Sequence, residues 1–158
     1  MIIRTRSANQ RGFSISELLV VVGMLGALSG LGVPSLLSYW RTSSLAASAS
    51  EVAGVLYRAR QLAVMQGTNV CVKVASNALW YMTGTSTTCG GGTVWTSLGM
   101  KSDGTLPLSS GFNVTTGVPV VFTSLGGTTA AATYTVTDPS TNRSRNVVVV
   151  TSGRVAVQ

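Results

Sequence analysis

The 158-residue chain contains no histidine and only four carboxylates, so it lacks most of the side chains on which hydrolytic and metal-dependent enzymes rely. The carboxylates of Glu17, Glu51, Asp103 and Asp138 are scattered along the chain, and no two of them form an acid–base or metal-ligand motif. We therefore expect a protein that is not an enzyme, with no metal, no other cofactor and no small-molecule substrate.

Charge is scarce as well, because charged residues make up 9% of the chain and hydrophobic residues 45%. This composition indicates one folded domain with an additional apolar element. The formal net charge is +7, but Arg4, Arg6 and Arg11 all precede the main apolar run. If that leader is removed, eight basic residues face four acidic ones, which leaves a balance of +4. This balance is compatible with an anionic partner but does not require one.

Cysteine is limited to Cys71 and Cys89, and the C-x₂-C spacing of a redox or zinc site is missing. An even pair of cysteines in an exported chain indicates a disulfide. Two buried or free thiols are the alternative.

The long apolar run extends from Phe13 to Trp40, FSISELLVVVGMLGALSGLGVPSLLSYW, and contains a single charged residue, Glu17. It is long enough to span a bilayer. A cleaved secretory signal places its cleavage site after the apolar core, whereas here the small residue Gly12 comes before it. The basic residues ahead of the run orient it with residues 1–12 in the cytoplasm and the chain after Arg41 outside.

The segment from Arg11 to Leu18, RGFSISEL, resembles the prepilin signal of type IV pilins and type II secretion pseudopilins. It has a basic leader, a glycine before the cut, an aromatic first residue and glutamate at the fifth mature position. The resemblance implies that a prepilin peptidase cleaves between Gly12 and Phe13 and methylates the new amino group of Phe13. It also implies that Glu17 promotes assembly by meeting the amino terminus of a neighbouring subunit. Alternatively, Glu17 lies at head-group level, where the positive end of the helix dipole favours it.

Beyond the apolar run, apolar residues recur at helical spacing, and the helix is predicted to stop at Gly67. Its apolar face comprises Leu45, Ala49, Val52, Leu56, Ala59 and Ala63. Pro34 predicts bending or local melting, unless it is a tolerated membrane-helix proline.

Short runs rich in β-branched residues follow Gly67, so we expect an α+β fold. The predicted strands are residues 70–74, 79–83, 94–98, 112–115, 120–123, 133–137, 146–151 and 154–157. The run Val147 to Val150 predicts a strand that is buried on both faces or covered by the helix.

Two segments resemble the GspH/FimT group of minor pilins and pseudopilins: ARQLAVMQGTNVCVKV (Ala59 to Val74), and VFTSLGG followed by NVVVVTSGRVAV (Asn146 to Val157). The resemblance implies a pilin-like fold, in which a long N-terminal helix has a transmembrane half and an amphipathic half packed on small antiparallel sheets. The region from Ala75 to Pro119 matches only loosely.

Some FimT-like pilins take up DNA through a C-terminal Gly-Arg-x-Arg motif, of which Gly153 and Arg154 are present here while Ala156 replaces the second arginine. Arg143 and Arg145 are predicted to lie in the loop before this segment, and across a hairpin they would form one basic patch with Arg154 that contacts phosphates weakly. They are the candidate DNA-binding residues. Alternatively, Gly153 makes a turn and Arg154 is a solvated strand residue.

These features predict a leader at 1–12, a transmembrane and assembly helix at 13–41, and a periplasmic head at 42–158. The function indicated is a FimT-like minor pilin of a type IV pilus that helps pilus biogenesis and takes part in DNA uptake. A GspH-type minor pseudopilin of a type II secretion system is the alternative. The partners implied are other pilins or pseudopilins, the prepilin peptidase, the inner membrane and double-stranded DNA.

Overall fold

A computed structural model describes residues 13–96, 100–108 and 111–158, without the side chains of residues 31–35 and Pro107. The predicted leader, including Gly12, lies outside the described residues. The chain divides into a first unit that ends at Trp40 and a second unit, residues 41–158, and the helix α1, Ile15–Gln66, contributes to both.

In the first unit, α1 exposes its large apolar side chains. Their exposed fractions run from 48% for Val21 to 80% for Ile15. The helix is continuous through position 34, so the local melting predicted there is not seen. Within the part of the chain that the structure describes, no helix combines the length and the apolarity needed to cross a membrane. The transmembrane interpretation of residues 13–41 stays a prediction.

In the second unit, α1 buries the apolar face that the sequence predicts. Leu45 is 4% exposed, and Ala49, Val52, Leu56, Ala59 and Ala63 are completely buried. The small alanine side chains let the sheets approach the helix closely. The helix ends at Gln66, and Gly67 follows with a φ of 64°, a left-handed conformation that glycine adopts without strain and that terminates helices.

Nine strands of the described residues form two antiparallel sheets, which confirms the α+β, pilin-like fold. The strands are β1 (Val70–Ala75), β2 (Ala78–Thr83), β3 (Thr93–Val94), β4 (Thr105–Pro107), β5 (Asn113–Thr116), β6 (Val120–Phe122), β7 (Ala132–Asp138), β8 (Arg143–Val149) and β9 (Val155–Val157). The first sheet has the order β3-β2-β1-β6, with β4 also paired to β2. The second has the order β5-β7-β8-β9.

Two tyrosines tie the head portion of α1 to the two sheets. The hydroxyl of Tyr81, in β2, donates a hydrogen bond of 2.9 Å to the carbonyl of Val55. The hydroxyl of Tyr57, in α1, donates one of 2.7 Å to the carbonyl of Val155, in β9. Each sheet is thereby joined to the helix by a directional contact in addition to apolar packing.

A third tyrosine, Tyr134 in β7, joins the sheets to each other. Its buried hydroxyl donates to the carbonyl of Val72 at 3.0 Å and accepts from the amide of Val120 at 3.1 Å. Burial raises the pKa of the Tyr134 hydroxyl well above its usual range, so the group stays neutral and can act as donor and acceptor at once. A buried polar group is thus fully used.

The predicted disulfide is present and joins Cys71, in β1, to Cys89, with a Cα–Cα distance of 5.6 Å. Both cysteines pack with Val121 and Met82 in a small cluster of their own, apart from the main core. A cross-link closing a loop of 18 residues stabilises a fold by about 3 kcal/mol.

The strand predictions were wrong in three places. β4 was not predicted, β3 covers only Thr93–Val94, and β8 begins at Arg143 although residues 143–145 were predicted to form a loop. Residues 97 and 98 of the strand predicted at 94–98 lie outside the described residues. Pairing with β7 extends β8, because Arg145 faces Val136 in the ladder and the pairing overrides the low β propensity of a charged segment. Val147 and Val149 are buried while Val150 is 36% exposed, so this strand is covered by the helix on one face only.

Candidate functional site

Glu17 lies in the first turn of α1 and closes a capping box. Its Oε2 accepts a hydrogen bond of 3.2 Å from the amide of Ser14, while the Ser14 Oγ accepts one of 3.3 Å from the amide of Ser16. The Ser14 carbonyl accepts the first helical bond, from Leu18, at 3.1 Å. Ser14 is therefore the N-cap residue and Glu17 the third helical residue. The S-x-x-E pattern that encodes this is visible in the sequence but was not used in the prediction.

The capping box lies beside an open apolar groove. The groove has a volume of about 360 Å³ and is lined by Phe13, Ser16, Glu17, Val20 and Val21. Phe13, directly before the helix, is 82% exposed. A carboxylate at the rim of an exposed apolar surface suits contact with a cationic group on another apolar helix. Cleavage between Gly12 and Phe13, methylation of Phe13 and the assembly role of Glu17 stay predictions.

The structure separates the three arginines that were expected to share one patch. Arg143 is the first residue of β8, whereas Arg154 follows the β8–β9 turn, where its carbonyl accepts a hydrogen bond from the amide of Val150. The seven residue-to-residue steps from Arg143 to Val150 in extended conformation span about 23 Å. The two arginines thus lie at opposite ends of β8.

Strand alternation also assigns them to opposite faces of the sheet. Arg143 and Arg145 share the face of the buried Val147, while Arg154 precedes the buried Val155 and lies on the other face. The expectation of a single patch across the hairpin is therefore wrong, because it assumed that residues 143–145 form a loop. DNA binding by Arg143, Arg145 and Arg154 stays a prediction.

Gly153, the first residue of the Gly-Arg pair, has a structural explanation. Its φ is 78°, and a Cβ atom at this position would overlap the carbonyl oxygen of Gly126. The same oxygen accepts a hydrogen bond of 2.8 Å from the Arg60 Nε. Only glycine therefore fits at this point, where the β8–β9 turn meets α1 and the loop of residues 124–127.

A basic cluster that the sequence analysis missed lies where the head begins. We call Arg41, Arg143 and Arg145 the junction cluster. The Arg41 Nη1 donates to the Ser140 Oγ at 2.7 Å, and the Arg143 Nη1 donates to the Thr42 Oγ1 at 3.0 Å. Arg41 lies four residues before Leu45, on the helix face that packs against the sheets. This spacing could have indicated from the sequence that Arg41 lies near the strands.

Asp138, opposite Arg143 in the β7–β8 ladder, organises the adjoining turn. Its Oδ1 accepts bonds from the Ser140 Oγ at 2.6 Å and the Ser140 amide at 2.9 Å, and its Oδ2 accepts one from the Thr141 Oγ1 at 2.8 Å. These bonds, led by the one from the Ser140 hydroxyl, lower the pKa of Asp138 to about 2. The Asp138 carboxylate is thus ionised, and both of its oxygens already accept hydrogen bonds from residues of the adjoining turn.

A second exposed apolar surface lies near the C-terminal end of α1. Met65 is 81% and Leu125 is 93% exposed, and with Tyr57 and Val64 they line an open cleft of about 380 Å³ beside Arg60. Large apolar side chains exposed together are typical of protein contact surfaces.

Tyr81 and Trp95, whose rings could stack on nucleic-acid bases, belong mainly to the core. Tyr81 is completely buried, and Trp95 packs against the main core while half-buried. Among the residues that the structure describes, no group of three or more Cys, Asp or Glu side chains could hold a metal ion.

A long helix whose second part is buried against two antiparallel sheets defines the class of pilin-like subunits. The sequence profile of the GspH family, described as "Type II transport protein GspH", matches residues 48–153, so the chain belongs to this family. This confirms the predicted GspH/FimT resemblance. No protein with a curated description matches the sequence significantly.

Two solved proteins share the fold. The minor pseudopilin EpsH from the type 2 secretion system of Vibrio cholerae has a TM-score of 0.57 and 15% identity, over 72% of this chain and 95% of EpsH. The type IV minor pilin FimU of Pseudomonas aeruginosa has a TM-score of 0.54 and 18% identity, over 76% of this chain and 92% of FimU. At this level of identity the similarity establishes the fold.

Proposed function

We propose that the chain is a FimT-like minor pilin that is anchored in the inner membrane by residues 13–41 and is then incorporated into a type IV pilus to promote its biogenesis. The observation that carries the proposal is the exposed apolar surface of α1 between Ile15 and Trp40. Burying each large aliphatic side chain of this surface is worth about 1.5–3 kcal/mol, so water is a poor environment for the helix. A bilayer, and then the helices of neighbouring subunits, would supply the missing cover.

Glu17 is the residue that would select the position of the subunit in the filament. Its carboxylate is held by the amide of Ser14, at the helix end where the dipole favours negative charge. A neighbouring subunit's amino group would offer a positively charged donor in place of this neutral amide, so that both partners of the bond carry a charge. Assembly would thus exchange a local cap for an ion pair.

A GspH-type minor pseudopilin of a type II secretion system is the second candidate, supported by the description of the matching family. Both candidates use the same helix and the same carboxylate. They differ in the filament that incorporates the subunit.

The test separates the charge of Glu17 from its capping bond. Glu17→Gln keeps an oxygen that can accept the Ser14 amide but removes the charge, whereas Ser14→Ala keeps the charge and removes the N-cap hydroxyl. Each variant replaces the native chain in its own cells, where incorporation into filaments, piliation and protein export are measured.

We expect Glu17→Gln to stay in the membrane at normal abundance but to be absent from filaments, and Ser14→Ala to be incorporated. Loss of pili would identify a type IV pilus, and loss of export a type II system. If Glu17→Gln is incorporated as well as the native chain, the charge of Glu17 is not needed for assembly and the proposed assembly role is wrong.

A further inference from the structure

We propose that the junction cluster, Arg41, Arg143 and Arg145, docks the head on the phosphate groups of anionic phospholipids at the membrane surface. The inference rests on the proposed function, since it requires the segment before Arg41 to be anchored in a membrane. It assigns to these arginines a partner other than DNA.

The junction cluster is held in place by hydrogen bonds to neutral hydroxyl groups, which leave its positive charge intact. Arg41 donates to the hydroxyl of Ser140, and Arg143 donates to the hydroxyl of Thr42. These two reciprocal bonds connect the start of the head to the β7–β8 hairpin. Because each uses one of the five N–H donors of a guanidinium and a neutral acceptor, further donors stay available for phosphate oxygens.

Arg145 lies two residues further along β8 on the same face as Arg143, about 7 Å away. It is exposed, and no described residue provides it with a hydrogen-bond or ion-pair partner. A positive side chain that stabilises nothing within the head is free to bind an external anion.

The charges of the junction cluster are only partly balanced by a neighbouring carboxylate. Asp138 is the acidic residue adjoining the cluster, and both of its oxygens already accept bonds from Ser140 and Thr141. Three arginines against one carboxylate leave a local charge of +2. Guanidinium groups do not lose their protons at physiological pH, so this charge is permanent.

Arg41 directly follows the apolar run in the chain. Consecutive Cα atoms are 3.8 Å apart, so Arg41 cannot lie further than this from the last residue of the apolar run, Trp40. If that run ends at a bilayer surface, the Arg41 guanidinium is within reach of lipid phosphates. Arg143, which bonds to Thr42, is held beside this same point of the chain, and that proximity to the end of the apolar run favours lipid as the partner.

The experiment uses the full chain reconstituted into vesicles of neutral phosphatidylcholine, with or without anionic phosphatidylglycerol. Ser144→Cys, an exposed position in β8, carries a fluorescent donor, and the vesicles carry acceptor lipids. The native cysteines are paired in the disulfide and do not compete for the label. Energy transfer reports the fraction of heads docked on the membrane.

We expect more transfer on anionic vesicles, and a steep decrease as salt is added. Arg41→Gln/Arg143→Gln/Arg145→Gln should remove the difference between the two vesicle types. Each arginine close to an anionic surface strengthens binding about fivefold, so the ratio of docked to undocked heads should fall on the order of 100-fold. A control variant, Arg58→Gln/Lys73→Gln/Lys101→Gln, removes the same charge from positions outside the cluster and should behave like the native chain.

Equal transfer on both vesicle types, or an equal loss in the control variant, would overturn the proposal. Flotation with vesicles after alkaline washing is measured on the same samples. A chain that is washed off disproves the anchoring, and the docking inference with it, whereas a chain that floats but does not respond to anionic lipid disproves the docking alone. If the cluster variant instead loses binding to labelled duplex DNA while its response to lipid is unchanged, the cluster is a DNA site.

Discussion

The two parts of α1 both carry many apolar residues, but the surroundings of these residues are opposite. Between Ile15 and Trp40 the large side chains that the structure describes are exposed, whereas from Leu45 to Ala63 the apolar face is buried against two sheets. The first part carries large aliphatic residues in succession, so every side of the helix is apolar. The second part alternates apolar and polar positions and includes several alanines, which gives one narrow face that the sheets can cover.

This difference shows that one continuous helix can serve two environments. The second part is stabilised within the chain, by apolar packing and by the hydroxyl bonds of Tyr81 and Tyr57. Among the described residues of its own unit, the first part has no comparable surface to pack against, so its apolar residues are expected to contribute to anchoring and assembly. Substitutions in the two parts should therefore affect different measurements.

Leu56→Ala should produce the largest loss of stability. Leu56 is completely buried in the main core, and removing a leucine side chain from such a site costs about 2–5 kcal/mol. That is a large share of the 5–15 kcal/mol by which native domains are typically stable. Urea unfolding of the detergent-solubilised chain, followed by tryptophan fluorescence, measures the change in the free energy of unfolding of the head.

Leu25→Ala is the matched control for this prediction. Leu25 is 58% exposed in the first part of α1, so the same substitution should change the unfolding free energy of the head by less than about 0.5 kcal/mol. An equal loss of stability in both variants would show that the two parts of the helix do not differ as proposed.

Removal of the disulfide should produce the next largest effect. Cys71→Ala/Cys89→Ala opens a loop of 18 residues and should cost about 3 kcal/mol of the unfolding free energy of the head. The native chain in reducing buffer should show the same shift in its urea midpoint. A double variant as stable as the oxidised native chain would mean that the sheets hold this loop without the cross-link.

Much of this fold could be predicted from the sequence because its main signals are local. The apolar face from Leu45 to Ala63, the helix end at Gly67 and the disulfide each depend on spacing, on a single special residue or on an even cysteine pair. These signals do not require knowledge of which strand pairs with which.

The arrangement of the basic residues could not be predicted in this way. Whether Arg143 meets Arg154 or Arg41 depends on where β8 begins and on its register against β7 and β9. A shift in the start of a strand moves side chains along the sheet, and a shift of one residue moves them to the other face. The capping box of Ser14 and Glu17 is different, since its pattern is local and was overlooked in favour of the assembly role.

Tyr81→Phe should have the smallest effect, because it removes one hydroxyl and leaves the ring in place. The bond from this hydroxyl to the Val55 carbonyl connects the first sheet to α1, and a buried hydrogen bond of this kind contributes about 1 kcal/mol. Burial raises the pKa of the Tyr81 hydroxyl well above its usual range, so the donor keeps its proton under alkaline conditions that ionise an ordinary tyrosine.

Tyr39→Phe provides the control, because Tyr39 lies in the first part of α1 with its side chain 71% exposed. Removing its hydroxyl should leave the unfolding free energy of the head unchanged. Both variants keep their aromatic rings, so a difference between them measures the hydroxyl bond and not the loss of apolar area. If the two lose the same stability, the contact between Tyr81 and Val55 adds nothing to apolar packing, and the second part of α1 is held in the head by burial alone.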